Sequence, residues 1–324
     1  LSDMGITVDG VAIGKDKTAA VYAANDIVYY ESGKDFTYGE GEEKDAHTKA
    51  EADAHTVVHI TKPGQYVLSG KLSKGQIAVD LGEDAEEDPT AVVTLVLNGM
   101  DVTCTVAPAV IFYNVYECGN KDETAATKDV DTSAAGANLI LQGENTVSGA
   151  YVAKIFKDKD GEKKLWKQDG AIYSYMSMNI YGPGALEIQA DNEGLGTELH
   201  LTIFGGEITI RSGNDGINTN EDGVSVTTIN GGRLSIVVNG STGEGDGIDS
   251  NKALTIRGGE TVVLSSTQQD NSSLDVDGTI TLTGGVFLGV SYKGMFRSIS
   301  SSRKRSSLYR KSESLSSHIV SEAC

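Results

Sequence analysis

Apolar and polar residues alternate in a short run that recurs along the chain, each time just before a pair of glycines. The pairs are Gly205-Gly206, Gly231-Gly232, Gly258-Gly259 and Gly284-Gly285, spaced about 26 residues apart. Strict alternation has the period of a β-strand, in which successive side chains point to opposite faces. The pattern therefore predicts a strand in each repeat, and a fixed period of this length predicts a stack of similar coils.

The apolar residue two positions before each glycine pair predicts the core. Less regular runs of the same kind occur upstream at 95–99, 139–143 and 178–182. Stacked coils would bring together one inward-facing column: Leu97, Leu141, Ile180, Ile203, Ile229, Ile256 and Leu282. A coil of roughly 23–30 residues accommodates three short strands but not the crossover helices of an α/β fold. The sequence therefore predicts an all-β chain folded as a single-stranded parallel β-helix, a solenoid.

Composition and periodicity divide the chain into three parts. The 324 residues include 39 glycines and 4 prolines, which suits frequent tight turns, because glycine adopts positive φ cheaply and proline would remove a strand donor. Residues 1–60 are less periodic and rich in charge, so we expect an N-terminal segment and cap there. The β-helix is expected over 61–296, and the basic, serine-rich segment 297–324 is expected to be disordered.

Charge and hydropathy restrict the partners. The formal net charge of −19 argues against nucleic acid or an anionic membrane surface and favours an acidic, cation-binding surface. No run of about 20 apolar residues occurs, so we expect no membrane span. The chain starts at Leu1 without a secretion signal, which we expect was removed or never present. Cys104 and Cys118 could close one coil with a disulfide or remain unpaired.

The residues that could bind a ligand or take part in catalysis form a second repeat, in which an acid precedes a glycine, an aliphatic residue and an oxygen-bearing residue. It occurs at 169–172, 193–195, 215–218 and 246–249, with 273–275 in the corresponding place of the next coil. A second shared offset carries Glu198, Asn220, Asn251 and Asp277. Stacked coils lie about 4.8 Å apart, and like charges at that distance repel. The carboxylates must therefore bind protons or share a cation.

Calcium is the cation we expect, because it takes hard oxygen ligands from carboxylates, amides and carbonyls and tolerates irregular geometry. The alternative is that these aspartates and asparagines cap turns by accepting hydrogen bonds from nearby backbone N–H groups. The candidate metal ligands are Glu193, Asp215, Asn218, Asn220, Asp246, Asp249, Asn251, Asp275 and Asp277.

Several of these motifs together resemble the secreted carbohydrate-binding β-helix proteins of clostridia and related bacteria. The resemblance covers roughly residues 61–296 and rests on the segments 64–70, 95–99, 169–174, 215–217, 246–250 and 274–278. It implies a right-handed parallel β-helix, similar in fold to pectate lyases, that carries calcium on its coils. It also implies a secreted or cell-surface protein that binds cellulose or acidic plant polysaccharide without established cleavage.

We expect a monomeric, non-catalytic polysaccharide-binding protein. In this interpretation calcium held by Asp215, Asp246 and Asp249 bridges to uronate carboxylates, while side chains nearby contact the sugars. The candidate carbohydrate contacts are Trp166, Lys167, Tyr173 and Tyr175, with Tyr181 as a further aromatic.

Two other functions remain open at this point. A calcium-dependent polysaccharide (pectate) lyase would need a basic side chain to remove a proton beside the uronate carboxylate. The available bases are Lys167, Arg211, Arg233 and Arg257. A structural surface protein or adhesin would use the cation only to rigidify a rod.

Overall fold

The computed structural model describes residues 1–33, 41–159, 162–243, 245–266, 271–291, 299–301 and 316–323, with the backbone alone over 154–159, 162–166, 299–301 and 316–323. Nearly all of its regular structure is β-strand, which confirms the all-β prediction. The helical segments are the short α-helix Lys49–Asp53 and the single 3-10 turns Glu43–Asp45, Glu83–Glu87 and Glu123–Ala125.

The strands form three ladders, which the chain visits in a fixed order in each repeat. Ladder A contains the strands that precede the glycine turns, paired in parallel. Its members are the first halves of Gly64–Leu72 and Val93–Thr103, then Ala137–Gln142, Met178–Tyr181, Leu201–Ile203, Val226–Ile229, Ala253–Ile256, Thr279–Leu282 and Ile299–Ser301.

Ladder B contains the strands that follow the glycine turns. It is parallel except for its last strand, which joins antiparallel. Its members are the second halves of Gly64–Leu72 and Val93–Thr103, then Glu144–Gly149, Ala185–Ala190, Glu207–Ser212, Arg233–Val238, Glu260–Leu264, Gly285–Ser291 and Ser316–Ala323.

Ladder C completes each repeat. It is parallel except for its first strand, which joins antiparallel. Its members are Val21–Ala24, Thr56–Ile60, Gly75–Asp80, Val110–Asn114, Gly170–Ser174, Glu193–Thr197, Ile217–Thr219, Ile248–Ser250 and Leu274–Val276. Two antiparallel hairpins stand outside the ladders, Thr7–Val8 with Val11–Ala12 and Val152–Lys159 with Glu162–Gln168.

The predicted core column is correct over its later coils and shifted by two residues in the earlier ones. Ile180 pairs with Leu139 rather than with Leu141, and Leu139 pairs with Leu95 rather than with Leu97. The buried column is Leu95, Leu139, Ile180, Ile203, Ile229, Ile256 and Leu282. A slip of two residues keeps the same face of the strand inward, so Leu97 and Leu141 are equally buried in the neighbouring column.

The glycine pairs form the turns from ladder A to ladder B. The second glycine of each pair has a positive φ, between 77° and 100°. A Cβ on Gly232 would lie 2.6 Å from the carbonyl oxygen of Gly206 in the preceding coil. Glycine is needed there for two reasons, the left-handed backbone and the close approach of successive turns.

Strand pairing extends beyond residues 61–296 at both ends of the chain. Thr56–Ile60 and Val21–Ala24 already belong to ladder C, although they lie within the expected cap. At the other end, Ile299–Ser301 extends ladder A and Ser316–Ala323 pairs with Gly285–Ser291. The last coil offers open strand edges, which explains why segments without strong alternation pair there. The remaining residues of the expected disordered segment lie outside the described part.

Two further expectations concern cysteine and the membrane. Cys104 and Cys118 are both free thiols, so of the two alternatives the unpaired one is observed. Across the described ranges, the helices are all too short or too polar to cross a bilayer.

Candidate functional site

The acidic residues that open the ladder C strands lie over one another in successive coils. The backbone N–H of Gly194 donates to the carbonyl of Asp215 at 3.0 Å, and that of Gly216 donates to the carbonyl of Asp246 at 3.0 Å. Glu193, Asp215 and Asp246 therefore occupy equivalent corners, which we call the corner row. This is the stacking that the repeated motif predicted.

The glycine after each corner acid has a packing role. A Cβ on Gly216 would collide with Cγ2 of Ile236, and a Cβ on Gly247 would collide with Cγ1 of Val263. Both partners are inward-facing residues of ladder B. The backbone at this corner contacts the core directly. A side chain there would overlap the core, which explains why a glycine follows each corner acid.

One oxygen of each corner aspartate caps the next turn. Oδ1 of Asp215 accepts the backbone N–H of Asp246 at 2.7 Å. Oδ1 of Asp246 accepts the backbone N–H of Ser272 in the same way. Turn capping therefore accounts for part of the corner row, alongside any role in binding a cation.

Two further rows of polar residues run beside the corner row on the outer face of ladder C. The middle row follows the strand register, in which Gly196 pairs with Asn218, Asn218 with Asp249, and Asp249 with Asp275. The exit row follows one hydrogen-bonding pattern, in which each backbone N–H donates to the preceding coil; its members are Glu198, Asn220, Asn251 and Asp277. All nine predicted metal ligands lie in these three rows, which together we call the acidic face.

Two buried oxygen atoms of the acidic face have no hydrogen-bond partner among the described residues. Glu193 is only 2% exposed, and its Oε1 accepts the Nδ2–H of Asn218 at 2.9 Å. That contact leaves Oε2 of Glu193 and Oδ1 of Asn218 buried and unsatisfied. A buried acceptor without a donor costs folding free energy. Two such acceptors on side chains that are hydrogen-bonded to each other therefore indicate a missing electropositive partner.

Among the described side chains, no ammonium or guanidinium group forms a hydrogen bond or ion pair with these two oxygens. The ammonium group of Lys167 borders the site, and its Nζ lies 2.7 Å from Asp169 and 3.3 Å from Oδ1 of Asn220. Within the described ranges, three His, Cys, Asp or Glu side chains nowhere converge closely enough to hold a metal ion by themselves. A cation here would therefore also need the Asn218 amide and backbone carbonyls, a hard-oxygen set suited to calcium.

Burial and mutual repulsion raise the pKa values of the acidic face. Burial, then the charge of Glu193, raises the pKa of Asp215 well above its usual value. The pKa of Asp249 is raised to about 7 by burial and by the charges of Asp275 and Asp246. Burial also raises the pKa of Glu193, although the charge of Lys167 partly opposes it. At neutral pH these carboxyl groups either retain protons or require a cation.

The candidate aromatic residues differ in accessibility. The ring of Tyr173 is fully buried, lies against Gly196 and donates its hydroxyl proton to Glu198. Because the ring is buried, it offers no exposed face on which a sugar could stack. The ring fits there because Gly196, which it contacts, has no side chain. Tyr175 is half-buried, stacks on Tyr113 with ring centroids 5.8 Å apart, and donates to the carbonyl of Lys167 at 3.0 Å.

Two predicted contacts lie at the root of the hairpin. Trp166 belongs to the strand Glu162–Gln168, and its side chain lies outside the described part of the structure. Lys167 is half-buried between Asp169 and Asn220 and borders the acidic face. Glu198, in the exit row, shares the repeated offset but is not among the predicted site residues. Its contact with the buried Tyr173 hydroxyl connects it to the site.

The comparisons with known proteins agree on a carbohydrate-related family. A family model described as carbohydrate-binding domain-containing protein matches residues 54–307. A protein of that description from Acetivibrio thermocellus is 32% identical over 156 residues, which are 48% of this chain and 45% of the relative. The aligned region thus spans about half the length of that relative.

A solved structure is similar to part of the chain. It is described as the polysaccharide lyase-like protein from C. thermocellum, in a gadolinium derivative. Its sequence identity is 24%, its TM-score is 0.47, and the alignment covers 76% of this chain and 87% of that one.

Proposed function

The chain belongs to the family of carbohydrate-binding domain-containing proteins, and from this membership and the acidic face we propose that it binds polysaccharide through calcium without cleaving it. The preferred ligand is an acidic plant polysaccharide such as polygalacturonate, with cellulose as the neutral alternative. The protein acts as a secreted or cell-surface monomer. Its three ladders wind as a right-handed parallel β-helix, a proposal supported by the repeated A, B, C order of parallel strands.

One observation carries the proposal, the pair of buried and unsatisfied oxygens on Glu193 and Asn218. They face a region where the pKa values of Asp215 and Asp249 are also raised. A divalent cation would satisfy both oxygens and stabilise the ionised form of the carboxylates. We therefore assign the first calcium ligands to Glu193, Asp215, Asn218 and Asp249.

The chemistry of recognition follows from these ligands. Bound calcium supplies open coordination positions that a uronate carboxylate can fill. Asp215 and Asp246 hold their turns in place through the backbone hydrogen bonds to the next coil, which keeps the face rigid. Asp275 and Asp277 extend the acidic rows by one further coil, where a second cation would favour a polymer over a single sugar. Multivalent contact of this kind raises affinity without stronger individual contacts.

A lyase remains the second candidate because one base borders the acidic face. The Nζ of Lys167 lies 2.7 Å from Oδ2 of Asp169, so this base is already engaged in an ion pair. Two of the arginines named above are paired elsewhere, Arg233 with Glu260 and Arg257 with Asp129. Arg211 lies on ladder B, in register with Gln189 and Val237, away from the acidic face. Binding without cleavage is thus the better supported function.

Retention on immobilised polygalacturonate tests the proposal, with calcium, with magnesium and with a chelator. We expect retention in calcium only. Glu193→Gln should weaken retention because it removes a ligand charge and keeps the shape, whereas Glu187→Gln, at an exposed position of ladder B, should not. Equal retention with chelator would contradict the calcium assignment. Ultraviolet absorbance of an unsaturated product would instead establish a lyase, and its loss in Lys167→Gln would identify the base.

A further inference from the structure

A row of side chains lies where the ladder A strands end, at the turn toward ladder B. It is separate from the corner row of acids, which lies where the ladder C strands begin. The backbone N–H of Phe204 donates to the carbonyl of Ile180 at 2.8 Å, that of Asn230 donates to Ile203 at 2.8 Å, and that of Arg257 donates to Ile229 at 2.7 Å. Phe204, Asn230 and Arg257 therefore lie on consecutive coils, about 4.8 Å apart.

The aromatic end of this row has one covered face and one open face. The ring of Tyr181 stacks on that of Phe204, with centroids 4.5 Å apart and an interplanar angle of 9°. Phe204 is nevertheless 37% exposed. Since Tyr181 covers the side toward the earlier coil, the open side of the Phe204 ring faces the coil of Asn230.

A cleft of about 290 Å³ lies on that open side. Phe204, Asn230 and Arg257 all line it, in the order of their coils. The segment 129–132 forms the side wall. It is held in place by Thr132, whose hydroxyl lies 2.7 Å from Oδ1 of Asn179 and 2.7 Å from the hydroxyl of Thr202. The cleft is thus formed in advance by the fold.

The polar groups of the cleft include one positive side chain, which contacts one negative and one neutral side chain. Nη2 of Arg257 lies 3.2 Å from Oδ1 of Asp129, and Nη1 of Arg257 donates to Oδ1 of Asn230 at 3.4 Å. The Arg257 and Asp129 side chains are 40% and 65% exposed, so each keeps hydrogen-bonding capacity toward a ligand. The cleft is therefore lined by an aromatic ring together with a guanidinium, a carboxylate and an amide.

We propose that this cleft binds one neutral pyranose ring of a polysaccharide. The C–H face of the sugar stacks on Phe204, and its hydroxyls contact Asn230 and the pair formed by Arg257 and Asp129. Two carboxylates, Asp129 and Asp131, against one guanidinium disfavour a uronate. The choice of a saccharide rests on the proposed function, whereas the site is separate from the acidic face.

Titration calorimetry and saturation-transfer NMR in the presence of a chelator test this site alone. The probes are the methyl glycosides of glucose, galactose and mannose, with galacturonate as the charged comparison. We expect at least one neutral glycoside to bind. Phe204→Ala should lower its association constant roughly tenfold, which corresponds to the loss of about 1.4 kcal/mol. Arg257→Gln should weaken the same probe, and Leu264→Ala, which truncates a side chain that is 41% exposed on ladder B, should have no effect.

The outcomes separate the two proposals. Absence of binding by every neutral glycoside, or tighter binding of galacturonate than of galactose, would overturn the inference. An equal loss in Leu264→Ala would also overturn it. Retention of Phe204→Ala on polygalacturonate in calcium is expected to match that of the unchanged protein. Failure of calcium-dependent retention with intact glycoside binding would refute the proposed function and leave the neutral site standing.

Discussion

The backbone N–H of Asp246 donates to Oδ1 of Asp215 at 2.7 Å, across two successive coils. The same carboxylate belongs to the acidic face and has a raised pKa because of burial and the charge of Glu193. Asp215 thus serves as a turn cap through one oxygen and as a candidate calcium ligand through its charge. The two roles make different demands on the side chain, since capping needs an acceptor and cation binding needs a carboxylate.

Substitutions of Asp215 separate the two roles. Asp215→Ala removes the acceptor for Asp246, so we expect the free energy of unfolding to fall by about 1–2 kcal/mol even with chelator present. Asp215→Asn retains an acceptor and should unfold close to the unchanged protein in chelator, but gain less from calcium. Denaturant titrations with and without calcium measure both effects. Equal calcium stabilisation of Asp215→Asn and the unchanged protein would exclude Asp215 as a ligand.

Without calcium, stability should fall as the pH rises, and calcium should offset that fall. In the folded state the pKa of Asp249 is about 7, raised by burial and by neighbouring carboxylates, against about 3.9 in an unfolded chain. The folded state therefore binds more protons than the unfolded state between about pH 4 and pH 7. In chelator, this contribution to stability is present below pH 4 and is lost as the pH rises toward 7.

Melting temperatures across that pH range measure the effect. We expect calcium to raise the melting temperature most above pH 7, where the carboxylates are ionised, and little at pH 4. Asp249→Asn removes the titrating group and should flatten the decline in chelator. A decline of the same slope in Asp249→Asn would assign the pH dependence to other groups.

Gly196 is predicted to be intolerant of a side chain. An added Cβ would lie 2.7 Å from Cδ2 of Tyr173 and 3.2 Å from Oε2 of Glu193. Gly196→Ala should destabilise the protein by about 1–3 kcal/mol, because a fully buried ring must move, and should weaken calcium binding. Gly14→Ala, where an added Cβ meets nothing within 4 Å, is the matched control. Denaturation midpoints of the two variants compare them, and similar midpoints would contradict the packing argument.

The glycine turns allow backbone strain to be separated from close contact. Gly99 and Gly232 both connect ladder A to ladder B with positive φ, 74° and 86°. A Cβ on Gly99 would meet nothing within 4 Å, whereas one on Gly232 would lie 2.6 Å from the carbonyl oxygen of Gly206. We expect Gly99→Ala to cost about 1 kcal/mol of stability and Gly232→Ala to cost more. Equal thermal shifts would mean that strain alone explains the glycine pairs.

Local patterns were sufficient for the architecture of the repeat. The alternation before each glycine pair predicted the strands of ladder A, and the glycine pairs predicted the turns, because both depend on neighbours in sequence. The repeated acid-glycine motif also predicted that Asp215 and Asp246 would stack.

Contacts between coils had to come from the tertiary structure. The two-residue shift that pairs Ile180 with Leu139 is invisible in the sequence, because either register buries the same face of the strand. The burial of Tyr173 depends on Gly196 in the next coil. Similarly, the cleft beside Phe204 exists because the segment 129–132 folds back onto ladder A.

The sequence by itself determined the all-β character, the length of the repeat and the one face on which its acids gather, since each follows from a periodic pattern along the chain. Only the tertiary structure decided which atoms on that face lack partners. Glu193 and Asn218 belong to different coils, and the hydrogen bond between them uses Oε1 of Glu193 and Nδ2 of Asn218. Oε2 of Glu193 and Oδ1 of Asn218 are left unsatisfied. Satisfaction of a buried polar atom depends on every neighbour in three dimensions, and spacing along one chain does not encode it.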